Sequence, residues 1–333
     1  MTRATMKNHV IILDGKGRQV GKKDTKAKAY MSDPEHFADA FNYYLFQGRK
    51  IVKPEKLEEI DPTEIGIVIK NGSEEVIQKI RDVLKSCVIM KDDLITYIIL
   101  GIENQSDVHY AMPVRNLIYD ALNYGKQVNQ IAKKHKADKD LEEDEFLSGF
   151  SKEDKLKPVI TLTAYFGNRE WDAPRSLFDM LESVPKELEQ FMDDYHLNLI
   201  VPAEISDFSL FSTQLRQVLQ FISVSDDADA LERIATDEAF EHLSVETVDL
   251  INECTDANIP IKEGEREVNM CKGMIDLLER KNAEGRAEGR AEGRSEDIER
   301  MLRSGKAPEA IADFCGYDLE EVKAVADKIL AIV

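Results

Sequence analysis

Asp82, Glu103 and Gln105 are the residues whose types and spacing suit chemistry. Asp82 precedes the apolar run 83–90, and Glu103 and Gln105 close a second run, 95–102. Two β-branched runs around the polar Lys91-Asp92-Asp93 predict an antiparallel hairpin. Residues two apart on an extended segment share a face, so Glu103 and Gln105 point the same way. The returning strand then brings Asp82 beside both. Two carboxylates at a sheet edge can hold Mg2+. Such an ion clamps a phosphate, polarises it and activates a water for in-line attack. Arg115 and Tyr119 follow at i and i+4 on an expected helix, hence on one face. A guanidinium there suits bidentate contact with phosphate. Polar residues at strand ends are commonly just solvated. The unusual feature is that the apolar stretch 97–102 runs directly into Glu103-Asn104-Gln105. Strand ends that turn polar are where α/β sheets place ligands.

The elements that must position these groups are legible on both sides of the hairpin. Ser32-Asp33-Pro34-Glu35 opens a helix with a cap, an early proline and an acid in the first turn. Phe37, Ala40, Phe41, Tyr44 and Leu45 continue it at helical spacing, and Gly48 ends it. Residues 65–69 read as a short strand ending at the turn dipeptide Asn71-Gly72. Leu117, Ile118, Ala121 and Leu122 mark a helix over 112–135. The charged stretch 136–157 reads as an exposed loop. Residues 158–166 and 197–201 read as two more strands. This order of helices and strands predicts an α/β core over 32–205. Strand signals then vanish, and 206–281 reads as helical. Three Ala-Glu-Gly-Arg repeats lie within 282–297 and read as a helical linker: their glycines disfavour an autonomous helix, and Glu and Arg never fall three or four apart. Residues 298–333 read as a small helical unit with a stop at Gly316.

The chain has 333 residues and a net charge of -20. It is long enough for a sizeable core, and its length suggests about two domains. No stretch approaches the roughly 20 apolar residues of a membrane span. Four scattered cysteines (Cys87, Cys254, Cys271, Cys315) show no zinc spacing, so a reducing, cytoplasmic setting is expected. The charge is uneven. Residues 1–31 carry eight basic groups against Asp14 and Asp24, a local +6, leaving -26 for the rest. Such a body disfavours non-specific coating of nucleic acid, whereas a basic arm suits local phosphate contact.

Residues 99–106 (Ile-Leu-Gly-Ile-Glu-Asn-Gln-Ser), then Met112-Pro113-Val114-Arg115, then Tyr119, resemble the signature of the Rpn family. These are the recombination-promoting nucleases, also called YhgA-like transposases, of the PD-(D/E)XK superfamily. Arg81-Asp82-Val83-Leu84 resembles the family's Asp-bearing strand. Asp24 and Lys28 resemble an Asp and a Lys before its first helix, and residues 37–42 resemble that helix. Residues 158–167 and the Glu-Gly-Arg repeats are similar to further family features. The resemblance implies a restriction-endonuclease-like mixed sheet flanked by helices, followed by a helical region and a small C-terminal helical unit. It implies a Mg2+-dependent DNA endonuclease in which Asp82 and Glu103 bind metal and Gln105 orients water. Arg115 and Tyr119 would meet or support phosphate. Asp39, Asp24 and Lys28 are additional candidates. Gln105 stands where most of the superfamily has Lys. That loses a cation and keeps open a weakly active or inactive protein acting as a nucleic-acid-binding or assembly module.

Smaller signals point elsewhere. The spacing Ala312 to Gly316 suits a helix-turn-helix, but the following helix starts Leu319-Glu320-Glu321, acidic where phosphate would lie. Packing or self-association of the C-terminal helices is the better expectation. Trp171 reads as a partly buried anchor, and His109 as a loop residue. DNA is the expected partner, with no membrane.

Overall fold

Alternating cross-strand pairs of branched apolar residues build the centre of the molecule. The computed structural model describes residues 22–61, 63–70, 73–80, 82–91, 94–141, 143–255 and 257–330. Helices α1 (Lys22–Ser32) and α2 (Pro34–Phe46) come first, then strands β1 (Glu58–Glu59), β2 (Thr63–Lys70), β3 (Ser73–Ile80), β4 (Val83–Lys91) and β5 (Leu94–Gln105). Helices α3 (Met112–Asp138) and α4 (Glu143–Ser148) precede β6 (Val159–Tyr165), α5 (Lys186–Glu189) and β7 (Asn198–Ile200). The main sheet has the order β1-β4-β5-β6-β7. The β1–β4 and β4–β5 pairs are antiparallel, and β5–β6 and β6–β7 are parallel. A parallel step from β5 to β6 needs a crossover, which α3 supplies. The result is the expected α/β class, a mixed sheet flanked by helices.

The expected hairpin forms as β4–β5, pairing Val83 with Ile102; Arg81, Asp92 and Asp93 lie outside the described residues. Lys85, Leu100 and Ile102 are buried on one face, where the Lys85 ammonium lies over the Phe37 ring of α2. Lys85 also reaches Glu59 of the edge strand β1 at 3.3 Å. The opposite face receives α3. At the other end of the sheet, Trp171 is buried as an anchor, its ring edge against Tyr165 at 5.4 Å. Gly167 closes β6 because an added Cβ would meet the Tyr165 ring at 2.2 Å. Gly48 ends α2 at φ 78°, where a Cβ would meet Leu210 O at 2.7 Å.

Several expectations are corrected. The strand expected at 65–69 is β2, but it pairs with β3 in a separate hairpin, Lys70 opposite Ser73. The sequence of β3 hides this strand, since Val76, Ile77 and Ile80 do not alternate. Asn71-Gly72 lies outside the described residues. The loop expected at 136–157 contains α4. The basic arm expected to end at residue 31 has its last turns in α1, with Ala27, Tyr30 and Met31 buried; residues 1–21 lie outside the described residues.

After β7 come α6 (Leu215–Val224), α7 (Ala228–Ile234), β8 (Leu243–Ser244), α8 (Val245–Thr255) and β9 (Glu267–Val268). The β8–β9 pair is a short antiparallel ladder inside the region read as purely helical. This region is not separate from the sheet. α1 bridges to α8 through Lys26, which reaches Asp249 at 2.6 Å and Glu253 at 3.2 Å. The chain therefore divides at Cys271 rather than at 205 or 281. The second unit holds most of α9 (Met270–Arg303), with α10 (Pro308–Cys315) and α11 (Leu319–Leu330). The Ala-Glu-Gly-Arg repeats are part of α9, not a break between helices. Ile298, Ile311 and Val322 form the small core of this unit.

Candidate active site

Antiparallel register makes the central pair. Because Val83 faces Ile102, the next residue outward, Asp82, lies across from Glu103. The Asp82 N–H donates to Glu103 Oε1 at 3.3 Å, and Asn104 N–H donates to Asp82 Oδ2 at 2.9 Å. Each carboxylate thus accepts from the backbone of the opposite strand where β4 begins and β5 ends. From the crossover helix, Arg115 Nη2 reaches Glu103 Oε2 at 3.0 Å, and its Nε donates to Tyr119 OH at 3.3 Å. The expected i, i+4 face of α3 is therefore turned to the site, but Arg115 engages a carboxylate. Glu103 is 0% exposed. A fully buried carboxylate needs a paired charge, and Arg115 is that charge.

The electrostatics follow from this enclosure. Burial pushes the Asp82 carboxyl above its usual range. The Asn104 N–H, Lys28 and Arg115 pull it back, while Asp24 pushes the same way as burial. For Arg115, burial is the largest influence and opposes the charge, yet Glu103, Tyr119 and Asp82 together outweigh it and the guanidinium pKa rises. Burial, then Glu103, raises the Tyr119 phenol.

The remaining candidates separate into two groups. Gln105 lies beyond Glu103 on the same strand, with Nε2 donating to Asn104 O at 2.8 Å. Asp24 comes to the same strand end from α1, where its Oδ1 accepts from Ser106 Oγ at 2.7 Å. Lys28 is one turn further along α1. Asp39 does not join them. Its Oδ1 accepts from Ser212 N–H and Oγ at 2.9 and 3.0 Å, and its Oδ2 from Thr213 N–H and Oγ1 at 2.9 and 2.6 Å. The carboxylate expected to face a metal instead fixes the chain entering α6. His109 sits in the turn before α3, its Nδ1 accepting from Ala111 N–H at 3.3 Å.

Sequence reasoning missed the polar lining behind the pair. Asn116 Nδ2 donates to Thr163 Oγ1 at 2.9 Å. Asp120 accepts from Thr161 Oγ1 at 2.5 Å and from Tyr195 OH at 2.6 Å. Asn116, Asp120 and Asn123 are buried, whereas Ile118 and Ala121, read as the apolar face, are exposed. The i, i+4, i+7 spacing of these polar residues was the available signal. Asn104 is another omission. It is 2% exposed, and neither side-chain atom has a hydrogen-bond partner among the described residues.

Among the described residues, no three His, Cys, Asp or Glu side chains form a ready metal cluster. Mg2+ commonly takes only one or two protein carboxylates and leaves its other positions to water and phosphate. Asp82 and Glu103 fit that pattern, and a cation would offset the burial cost at Asp82.

The family model described as "Putative transposase, YhgA-like" matches residues 23–239. The chain belongs to this YhgA-like family. No curated protein and no solved structure matches it. The match runs from α1 past α7, so the YhgA-like region holds Asp24, Lys28, Asp82, Glu103, Gln105, Arg115 and Tyr119. No helix among the described residues is long and apolar enough to cross a membrane.

Proposed function

We propose that this YhgA-like protein is a DNA endonuclease that hydrolyses phosphodiester bonds with a divalent cation, Mg2+ by preference, held by Asp82 and Glu103. What supports this reading is the cross-strand pairing of Asp82 with Glu103 at the strand ends, where Asp82 N–H donates to Glu103 Oε1 and Arg115 is braced on Glu103. When bound, the cation supplies charge neutralisation at phosphate and a more acidic water. The protein's residues do the rest. Arg115 fixes Glu103 in orientation, and the Asn104 N–H fixes Asp82. Gln105 uses Nε2 on backbone and keeps Oε1 as the acceptor that orients the attacking water. The water oxygen forms a bond to phosphorus as the bond to the leaving sugar oxygen breaks. The water's proton passes to solvent, and the leaving oxygen takes up a proton, giving a phosphomonoester and a hydroxyl.

Nicking of supercoiled plasmid with Mg2+, Mn2+ or EDTA tests the reading. Nicking with either metal, none with EDTA, and loss in Asp82→Asn and Glu103→Gln are expected. Retained nicking by a pure, folded Asp82→Asn protein would sink the assignment.

A second reading is a DNA-binding module without catalysis. It is favoured by the same ion pair, since Glu103 is fully buried against Arg115, and by the neutral Gln105. Plasmid binding without nicking under any metal would support it.

A further inference from the structure

A neutral amide at Gln105 brings no positive charge to a phosphate, and Arg115 is engaged with Glu103. Another element brings a cation to this strand end. α1 packs against both β4 and β5. Its first turn is fastened there by the hydrogen bond from Ser106 Oγ to Asp24, at the residue directly after Gln105. Lys28 stands four residues beyond Asp24 and so on the same face of α1. Its neighbour Lys26 points to α8 and is held by Asp249 and Glu253. Lys28 enters no ion pair among the described residues, and its charge acts on Asp82, favouring the ionised carboxylate. Strand alternation sets Asn104 and Ser106 on the face that meets α1. There the buried Asn104 amide keeps unused hydrogen-bonding capacity.

We propose that Lys28 is the phosphate-contacting cation of this site, delivered by α1 in place of a strand residue at Gln105. The inference rests on the nuclease reading. Lys28 donates a hydrogen bond to a non-bridging phosphate oxygen and steadies the charge that develops there as water attacks. It transfers no proton. Asp24 acts as a positioning residue, because its bond to Ser106 fixes where the turn carrying Lys28 lies.

The experiment compares single-turnover plasmid nicking in Mg2+ by wild type, Lys28→Gln, Lys28→Gln/Gln105→Lys and Asp82→Asn. Melting temperature and plasmid affinity in EDTA are measured for each. Loss of one charge-stabilising donor predicts a Lys28→Gln rate about 100-fold lower, with melting and affinity nearly unchanged. Returning an ammonium from the strand in the double variant should recover about tenfold, a rescue that a merely structural lysine would not permit. A folded Lys28→Gln protein nicking within about threefold of wild type overturns the inference, as does a folded double variant without recovery. If Asp82→Asn is inactive while Lys28→Gln is not, only the role of Lys28 falls. If Asp82→Asn nicks normally, or wild type does not nick, the nuclease reading falls with it.

Discussion

Under the nuclease reading, Asp82 is a single carboxylate that is costly to the fold and needed for chemistry. Its folded-state pKa is raised, chiefly by burial. A raised acid pKa means the folded state favours the protonated form. Ionisation at neutral pH therefore destabilises the protein relative to its unfolded chain. Below the ordinary aspartate range both states are protonated and the penalty disappears. Asp82→Asn keeps an oxygen to accept from Asn104 N–H and removes the charge. It should raise resistance to urea at pH 7 and lose that advantage as pH falls through the raised pKa towards the ordinary range. Paired denaturation curves across that window check it. A variant both more stable and inactive is the pattern of a strained functional site.

Elements explain what single residues do not. Asp39 holds two consecutive backbone N–H groups and two hydroxyls before α6. Asp39→Ala should lower stability by about 2 kcal/mol, as loss of charged hydrogen bonds at a helix entrance does. Nicking by the folded fraction should remain, since Asp39 does not reach the carboxylate pair; melting and single-turnover rates measured together separate the two effects. In α9, Gly289 and Gly293 have nothing within 4 Å of an added Cβ. Replacing both with Ala should favour the helix by about 1 kcal/mol each. Far-ultraviolet circular dichroism should show more helix at raised temperature; a loss of helix would mean these glycines serve a packing contact. α3 teaches a different lesson. A polar stripe is its buried face because Thr161 and Thr163 offer partners across the sheet.

At the scale of the whole molecule, charge is divided by position. The net -20 arises from the body of the chain, which includes Asp82 and Glu103, while basic residues concentrate at the N-terminus. Under the nuclease reading, Arg3, Lys7, Lys16 and Arg18 add phosphate contacts. Deleting residues 1–20 should weaken DNA binding and lower the salt-dependence slope by about 0.9 per lost contact, up to about 3.6 for four. Binding isotherms at several salt concentrations measure that slope. An unchanged slope would remove the arm from the DNA contact. The acids of the body predict that divalent cations strengthen binding, and a titration with Ca2+ tests this without requiring cleavage.

Periodicity and turn chemistry determined much of this protein in the sequence alone. The β4–β5 hairpin, the α3 crossover, β6 and the end of α2 at Gly48 are local consequences of residue type and spacing. So is the juxtaposition of Asp82 with Glu103, because a tight hairpin converts sequence symmetry into cross-strand register. Tertiary structure decided what each polar group meets. Asp39 and Asp24 are both acids on N-terminal helices, yet one is fixed to Ser212 and Thr213, 173 and 174 residues away, and the other to Ser106, 82 residues away. Arg115 meets a buried carboxylate, and the polar side of α3 faces inward. Such pairings depend on which distant partner removes the cost of burying a polar group, and no local spacing encodes that partner.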